Sequence, residues 1–457
     1  MDPEFPLVEL HLHLYGCIRP ADLLRHIAAT APERLRWEEY EQPMLAAFGA
    51  VPPVRALVER HRAGERGIAD AFAELFVMGE ADAGDFARFS AKFKLLVIGS
   101  AFSDAIGTPE EIAAEIAAFT TGIRVDHERQ GIRYAEIRVL HGTDLSSARS
   151  RMAIDTLLAS FGPAERLVLS LDRADPWPGW ERVQKLALGP HGATVVGIDF
   201  CNVEEGHPPK NFAALFAAVA GFNAEHPDRA LAILHHVGES FTDKSLESAV
   251  RWVQQAAELG AHRLGHAIAL GVDPAVYGEH TRTEPAAERV DQIDYDLGHA
   301  DGLAAFGVAV DPDGLRAERA ALAAGPADAV VEVGYDRARL DEVRLRQRYA
   351  MARVRAAGAV VEVCPTSNLR IGGIADPAHH PVHRFHAEGV PFVVSSDDPG
   401  IFGTTLSEEL DWVCEHTGGG AELRRELLRR AWDSRSEVLS GRRAAVTGTI
   451  NPGLLSD

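Results

Sequence analysis

The sequence is poor in cysteine, in long apolar runs and in basic residues, and each deficit excludes a class of protein. Four cysteines among 457 residues, with no Cys-x-x-Cys pair, are too few for a disulfide framework. No run approaches the roughly 18–20 apolar residues of a membrane span. The 46 Lys and Arg residues stand against 67 Asp and Glu, a net charge of −21. A chain this acidic lacks the basic surface with which nucleic-acid and anionic-membrane binders displace counterions.

The rest of the composition is typical of a soluble globular protein, with 46% hydrophobic and 25% charged residues. The N-terminus lacks the basic start and apolar core of a secretory signal. We therefore expect a cytoplasmic protein with free, buried thiols. Residues 1–5 are typical of a cloning remnant and do not enter the fold prediction. Nothing in the pattern indicates the oligomeric state.

Short apolar, β-branched runs alternate with long segments of helical composition. One such segment, 243–260, shows the periodicity of an amphipathic helix, with Asp243 as the predicted N-cap and Gly260 as its end. Eight runs are predicted as strands: Leu7–His11, Tyr134–Leu140, Leu167–Leu171, Val195–Phe200, Leu231–His236, Arg263–His266, Val360–Val363 and Phe392–Ser396. Eight strands alternating with helices predict an α/β fold, the (β/α)₈ or TIM barrel.

Two long segments interrupt this alternation. Residues 14–130 follow the first strand, are mostly helical in composition, and are expected to form a lid-like segment over the barrel mouth. Residues 271–345 are predicted as an insertion, partly irregular, between strands six and seven. We expect one catalytic barrel domain over residues 1–457 that contains both segments.

Side chains capable of chemistry follow the C-terminal ends of the predicted strands. The C-terminal ends of all strands of a barrel meet at one mouth, so these side chains would lie together although they are far apart in sequence. The set comprises His11, His13, Asp199, His236, Glu239, His266, Thr366, Ser367, Asn368, Asp397 and Asp398.

A metal site is predicted within this set. His11 and His13 alternate along one strand, so both imidazoles face the same side. With His236 and Asp397 they offer three imidazoles and one carboxylate, which suit Zn²⁺ or another divalent first-row metal with a position left for water. The end of the fourth strand, residues 195–202, has no lysine that could bridge a second ion, so we predict one metal.

Five sequence blocks occur in a characteristic order: His11-Leu-His13-Leu, Leu234-His-His-Val-Gly-Glu239, Arg263-Leu-Gly-His266, Val363-Cys-Pro-Thr-Ser-Asn368 and Ser395-Ser-Asp-Asp-Pro399. Together they resemble the motif blocks of the adenosine deaminase family, a branch of the metal-dependent amidohydrolases. The resemblance runs from residue 7 to residue 410 and is interrupted by the insertion.

The resemblance implies zinc-dependent deamination of an aminopurine nucleoside or base to the inosine-like product and ammonia. It assigns the metal to His11, His13, His236 and Asp397. It implies that Glu239 gives a proton to the ring nitrogen and that His266 orients the attacking hydroxide. Asp397 would also accept the water proton. The residues implied to contact the substrate are His13, Tyr15, Asn202, Gly238, through its backbone N–H, and Asp398, through the imidazole part of a purine.

Two positions depart from the family pattern. Tyr15 stands where an acidic residue usually binds a sugar hydroxyl, and Asn202-Val203-Glu204 replaces the usual Gly-Asp-Glu. A tyrosine can donate one hydrogen bond and stack, but it brings no charge. We therefore expect altered sugar or 5′-group recognition. Candidate substrates are adenosine, 5′-modified or deoxy adenosines, aminofutalosine-like nucleosides, free adenine and other aminopurines.

Two alternative functions stay open at this point. A related metal-dependent amidohydrolase could act on a different amide or amine, although Glu239 and the missing lysine favour deamination. A non-catalytic nucleoside-binding relative typically has a broken site, whereas the metal and acid residues are all present here.

Overall fold

The computed structural model describes residues 5–84, 86–103, 107–140 and 147–444. Its strands are β1 (Leu7–His13), β2 (Ile132–Val139), β3 (Glu165–Ser170), β4 (Val195–Asp199), β5 (Ala232–Val237), β6 (Arg263–His266), β7 (His280–Pro285), β8 (Val330–Tyr335), β9 (Val360–Val363) and β10 (Phe392–Val394). Eight of them form a parallel sheet in the order β1-β2-β3-β4-β5-β6-β9-β10, whereas β7 and β8 form a separate antiparallel pair.

The sheet closes on itself at the residues just beyond β10. The Asp397 N–H donates to the His11 carbonyl at 3.0 Å, and the His13 N–H donates to the Asp397 carbonyl at 3.2 Å. The first and last strands are thereby joined, and helices surround the result. The predicted (β/α)₈ barrel is confirmed, and each of the eight predicted runs overlaps one barrel strand.

Helices fill the segments between the strands. Six of them, α1 to α6, lie between β1 and β2. The helices are α1 (Pro20–Ala29), α2 (Trp37–Phe48), α3 (Val54–Arg62), α4 (Ile68–Phe76), α5 (Phe86–Val97), α6 (Pro109–Gln130), α7 (Ala148–Ser160), α8 (Trp177–Ala187), α9 (Ala213–Glu225), α10 (Leu246–Leu259), α11 (Ile268–Gly271), α12 (Ala286–Gly298), α13 (Ala300–Ala305), α14 (Pro312–Ala323), α15 (Arg337–Ala357), α16 (Pro365–Ile371), α17 (Pro381–Ala387), α18 (Pro399–Phe402), α19 (Leu406–His416), α20 (Gly420–Asp433) and α21 (Ser436–Leu439). Among the described helices, none has the length and apolarity needed to cross a bilayer.

The predicted start of α10 is wrong by two residues, whereas its end is confirmed. Ser245 is the N-cap, and its hydroxyl accepts from the Ser248 N–H. Asp243, the predicted cap, instead accepts from the Gly206 N–H at 2.9 Å. Gly260 ends the helix with φ of 112°, a left-handed conformation that favours glycine.

The insertion between β6 and β9 is built mostly of regular elements, joined by short irregular stretches such as 306–311 and 324–329. It contains the β7–β8 pair and the helices α12, α13 and α14. The pair contacts the start of α10: Glu284 accepts from the Ser245 N–H at 2.8 Å, and the Tyr335 hydroxyl accepts from the Leu246 N–H at 2.8 Å. The insertion therefore supplies partners that fix where α10 begins.

Candidate active site

Four imidazoles and a carboxylate meet at the C-terminal mouth of the barrel. His11 and His13 come from β1, His236 from β5 and His266 from the end of β6, while Asp397 follows β10. The His11 ring centroid lies 4.6 Å from that of His236 and 4.9 Å from that of His266. The barrel therefore brings together all four residues predicted to bind metal, with His266 beside them.

The spacing of the ligating atoms fits one metal ion. The Asp397 Oδ1 lies 3.5 Å from the His11 Nε2 and 3.3 Å from the His13 Nε2. Ligand atoms on a tetrahedral zinc with ordinary bond lengths are about 3.4 Å apart. Within the part of the chain that the structure describes, the buried Nε2 atoms of His11 and His236 have no hydrogen-bond partner. A divalent cation bound between these two nitrogens and the carboxylate would give each nitrogen a partner.

The ligating atoms of His11 and His13 lie close to Asp397, whereas in the described part of the chain His236 is not part of a set with Asp397. One set of ligating atoms within 4.8 Å of one another consists of His11, His13 and Asp397, and another consists of His11, His236 and His266. The two sets share His11. His266 thus lies as close to the cluster as a ligand would, although the motif resemblance gives it a different role.

Two buried carboxylates orient the histidines from behind. Glu362 lies 2.9 Å from the His11 Nδ1, and Asp199 lies 3.0 Å from the His236 Nδ1. Such contacts leave Nε2 free to bind metal and fix the ring orientation. Burial lowers the pKa of both histidines, which keeps them in the neutral form that metals bind.

Glu362 was not predicted from the sequence as a site residue. It lies inside β9, in the run Val-Val-Glu-Val, and is fully buried. Its charge is matched by the guanidinium groups of Arg138, at 2.5 Å, and Arg263, at 2.6 Å. The sequence did contain a sign of this role, since Glu362 is an acidic residue inside an otherwise apolar parallel strand. A buried carboxylate of this kind requires a charged partner.

The backbone at three strand ends adopts a left-handed conformation in residues other than glycine. The φ angles are 79° at Asn202, 64° at His266 and 62° at Asp397. Such conformations cost of order 1–3 kcal/mol each and persist where the surrounding structure enforces them. All three residues were predicted site residues, and the turns direct their side chains at the mouth, where they line one cavity.

Glu239 lies at the mouth beyond β5, with its Oε1 3.4 Å from the His266 Nε2. Burial, together with repulsion from the carboxylates of Asp397 and Glu204, raises the pKa of Glu239 well above its usual value. A carboxyl in this setting keeps its proton to a higher pH than an exposed carboxyl does. Burial lowers the pKa of His266 to about 3, so its ring is neutral.

The Gly238 N–H, predicted to contact a substrate ring, already has a partner within the protein. It donates to the Glu204 Oε1 at 2.9 Å, and the Glu239 N–H donates to the other oxygen of the same carboxylate at 3.2 Å. Glu204 therefore fixes the backbone that carries Glu239. Gly238 has a φ of 69°, and a Cβ there would meet Val253 at 2.7 Å, which explains the need for glycine.

Asp398 is buried and packs against the backbone of Gly16. A Cβ on Gly16 would lie 1.6 Å from the Asp398 Oδ1, so the carboxyl fills the space that a side chain would take. In the described chain, this Oδ1 has no hydrogen-bond partner. Burial and the neighbouring Asp397 raise the pKa of Asp398 well above its usual value.

A cavity of about 500 Å³ opens above these groups. Part of its wall comes from α5, whose residues at helical spacing face it. The cavity is lined, among others, by His13, Tyr15, Phe86, Phe89, Phe93, Arg173, Asn202, His236, Glu239, His266, Asp397 and Asp398. It is large enough for a small organic substrate.

Tyr15 and Asn368 contact groups of the protein itself. The Tyr15 hydroxyl forms a hydrogen bond with the Ser100 Oγ at 2.8 Å, so mainly its ring is presented to the cavity. The Asn368 Nδ2 lies 3.0 Å from the His266 Nδ1 and thereby orients that ring.

Comparisons with known proteins relate both the sequence and the fold to deaminases. The adenosine deaminase family model matches residues 299–438. An aminodeoxyfutalosine deaminase of Acidothermus cellulolyticus is 47% identical over 77 residues, which are 15% of this chain and 22% of that protein. An adenosine deaminase of Serratia proteamaculans is 30% identical over 161 residues, 31% of this chain and 48% of that protein. The matched stretches thus span less than half the length of these relatives.

A solved structure shares the fold over nearly its whole length. The Arabidopsis N6-mAMP deaminase superimposes with a TM-score of 0.52, covering 96% of this chain and 97% of the other at 18% identity. At that identity the likeness concerns the barrel alone. The family model matches residues that include Asp397 and Asp398, and deaminases are among the sequence relatives, so this part of the chain is similar to the adenosine deaminase family.

Proposed function

We propose that the protein hydrolytically deaminates an aminopurine nucleoside or base, releasing ammonia and forming the inosine-like product. The observation that carries this proposal is the position of Glu239. Its carboxyl, with a pKa raised well above the usual value, lines the same cavity as the histidine–aspartate cluster and lies 3.4 Å from His266. A proton donor and a site for a nucleophile thus lie on one substrate cavity.

The proposed metal ligands are His11, His13, His236 and Asp397. Three imidazoles and a carboxylate favour Zn²⁺ among the divalent first-row metals, and Glu362 and Asp199 hold two of the rings in place. A divalent cation held there would supply a hydroxide nucleophile near neutral pH.

The protein's own groups would move the protons. Asp397 accepts the proton that water loses, and Glu239 gives its proton to the ring nitrogen beside the amine-bearing carbon. Electron density then moves from the ring onto that nitrogen while the new carbon–oxygen bond forms. The neutral His266 ring, oriented by Asn368, stabilises charge on the attacking oxygen. When the carbon–nitrogen bond breaks, the amine takes the proton that Asp397 received from water and leaves as ammonia. The new hydroxyl group gives its proton to Glu239 and becomes the carbonyl oxygen of the product.

Purine binding would involve the other side of the mouth. Asp398 keeps its proton because of its raised pKa, so its carboxyl can donate a hydrogen bond to a nitrogen of the imidazole part of a purine. His13 and Asn202 line the same cavity and are the further proposed polar contacts. The ring of Tyr15 offers a stacking surface for the group attached to the purine, because its hydroxyl is bonded to Ser100.

The α5 helix is proposed to cover the mouth, as part of the lid-like segment 14–130. Phe86, Phe89 and Phe93 lie on the face of α5 that lines the cavity. An apolar cover excludes bulk water from the reaction and strengthens the electrostatic interactions within the site.

The test is ammonia release by zinc-loaded protein from adenosine, adenine, 5′-deoxyadenosine, AMP and an aminofutalosine-like nucleoside. Glu239→Gln is expected to lower kcat about 10²- to 10⁴-fold, since it removes the proton donor but keeps the shape. Its zinc content should equal that of the wild type, because Glu239 is not a proposed ligand. Ammonia release from none of the compounds, with zinc bound, would contradict the proposal.

A further inference from the structure

A second set of ligating side chains shares Asp397 with the proposed metal site. His266, Cys364 and Asp397 each offer one atom, a nitrogen, a sulfur and an oxygen, and these atoms lie within 4.8 Å of one another. All three residues are buried. Neither the His266 ring nor the Cys364 thiol is needed to complete the four-residue ligand set.

The two carboxylate oxygens of Asp397 face different partners. Its Oδ1 lies 3.5 Å from the His11 Nε2 and 3.3 Å from the His13 Nε2. Its Oδ2 lies 3.8 Å from the His266 Nε2. A carboxylate oriented in this way can bridge two cations, which in two-metal sites lie about 3.5–4 Å apart.

The strand geometry places the Cys364 thiol inside the barrel. Side chains alternate along a strand, and Glu362 on β9 points inward, because it contacts the Nδ1 of His11. Cys364, two residues further along, therefore faces the same side, one step closer to the mouth. It lies next to the cluster rather than among the surrounding helices.

We propose that His266, Cys364 and Asp397 form a second, inhibitory site for a soft or borderline divalent cation such as Zn²⁺ or Cd²⁺. The thiol gives this donor set a preference for such ions over Mg²⁺ and Ca²⁺. When the cation binds, the Cys364 sulfur forms a bond to it and releases its proton to solvent. This site offers three protein ligands, whereas the first offers four, so it binds the cation more weakly than the first.

Occupation of the second site would stop the proposed reaction. A cation there takes the Nε2 of His266 and one oxygen of Asp397, and the proposed deamination uses both. The ring proton moves from Nε2 to Nδ1 when the cation binds, and the Asn368 side chain can turn so that its oxygen, which has no partner in the described chain, accepts from Nδ1. The inhibition rests on the proposed function, whereas the binding of the cation does not. Cation binding and inhibition of ammonia release are therefore measured in separate experiments.

The binding experiment titrates the zinc-loaded protein with Cd²⁺ and records the thiolate-to-cadmium charge-transfer absorption. None of the four proposed ligands of the first site is a sulfur, so exchange of zinc for cadmium there should add no such band. Cys201, whose thiol contacts His13, is tested separately. We expect one thiolate-bound cadmium per chain in the wild type and none in Cys364→Ser. Cys414→Ser, a change of a buried cysteine on α19, should keep the band. A band that is missing in the wild type, persists in Cys364→Ser or disappears in Cys201→Ser would overturn the proposal.

X-ray absorption at the cadmium edge identifies the atoms bound to cadmium in the wild-type protein, so this test needs no variant. One sulfur neighbour is expected in the wild type loaded with two cations, and sulfur-free coordination would contradict the proposal. In the activity arm, Cys364→Ser should raise the inhibition constant for Cd²⁺ about tenfold or more and leave kcat at low metal unchanged. Binding without any ammonia release would count against the proposed function alone.

Discussion

The side chain of Glu362 contacts both the buried arginines of the barrel and a proposed metal ligand. Its carboxylate accepts hydrogen bonds from two guanidinium groups and contacts the His11 ring. Replacing Glu362 with Gln keeps the shape but removes the charge that orients the ring, so metal affinity should fall about 10- to 100-fold. The dissociation constant of zinc, measured by competition with a chelating dye, checks this.

Glu136→Gln is the matched control for that prediction. Glu136 is equally buried and bonds to Arg263 and to the backbone N–H of Ser436, but it contacts no predicted ligand. Both variants should lose stability, since each removes one member of a buried charge network. Only Glu362→Gln should weaken zinc binding. Equal zinc affinities in the two variants would show that the carboxylate behind His11 has no effect on the metal.

Gly16→Ala should disturb Asp398 directly, because the new methyl group would lie 1.6 Å from its Oδ1. The carboxyl has to move, and overpacking of this kind costs typically 1–3 kcal/mol. We expect a clear rise in KM for the best aminopurine, measured by steady-state ammonia release. Gly79→Ala is the control, since a Cβ there meets no atom of the described chain within 4 Å. An unchanged KM in Gly16→Ala would exclude Asp398 as a substrate contact.

At the scale of single elements, α19 carries a buried carboxyl, Glu409, whose ionisation lowers stability at high pH. Burial raises the pKa of Glu409 from 4.5 to about 7. Between these pH values the folded state keeps a proton that the unfolded state has lost. The free energy of unfolding therefore falls as the pH rises from 4.5 to 7, by up to about 3 kcal/mol.

Glu409→Gln should remove this dependence, because the amide oxygen can still accept from the Thr366 N–H, now bonded at 3.0 Å. We expect the variant to be more stable than the wild type at pH 8 and equal to it near pH 4.5, in urea unfolding at both values. Glu415→Gln, a change of an exposed residue on the same helix, serves as control and should show the wild-type pH dependence. A stability difference that is the same at both pH values would refute the assignment.

The strands were predictable because buried parallel strands are short, apolar and β-branched, and each was found within a few residues. The start of α10 could not be predicted. The N–H of its N-cap, Ser245, donates to Glu284, which belongs to the insertion, and the sequence around Ser245 gives no sign of this contact. The proposed ligand set was inferred from residue types at strand ends, and the structure brings those residues together at one end of the barrel. The role of Glu362 could not be predicted in the same way, because its charge is balanced by Arg138 and Arg263, which lie far from it in sequence.

At the scale of the whole molecule, the proposed metal would join strands β1, β5 and β10. A ligand that binds only the folded state stabilises it by about 4 kcal/mol at a thousandfold excess over its dissociation constant. A chelator should therefore lower the Tm of the zinc-loaded protein clearly, as followed by circular dichroism.

Two histidine variants make this measurement specific. His236→Asn removes a proposed ligand, so the chelator should change its Tm little. His380→Asn alters an equally buried histidine that packs on Trp412, away from the mouth, and should keep the full response. A chelator effect of the same size in both variants would argue against the predicted ligand set.

The backbone hydrogen bonds that join Asp397 with His11 and with His13 close the barrel at the same residues that are proposed to bind metal. During synthesis on a ribosome, the first strand leaves the exit tunnel long before residue 397 does. Until then the early histidines have no carboxylate beside them, and the barrel has an open edge. Nascent chains should consequently gain barrel closure and metal retention in one late step. A chain released before that step would have neither, which would make it an early target for cellular proteases.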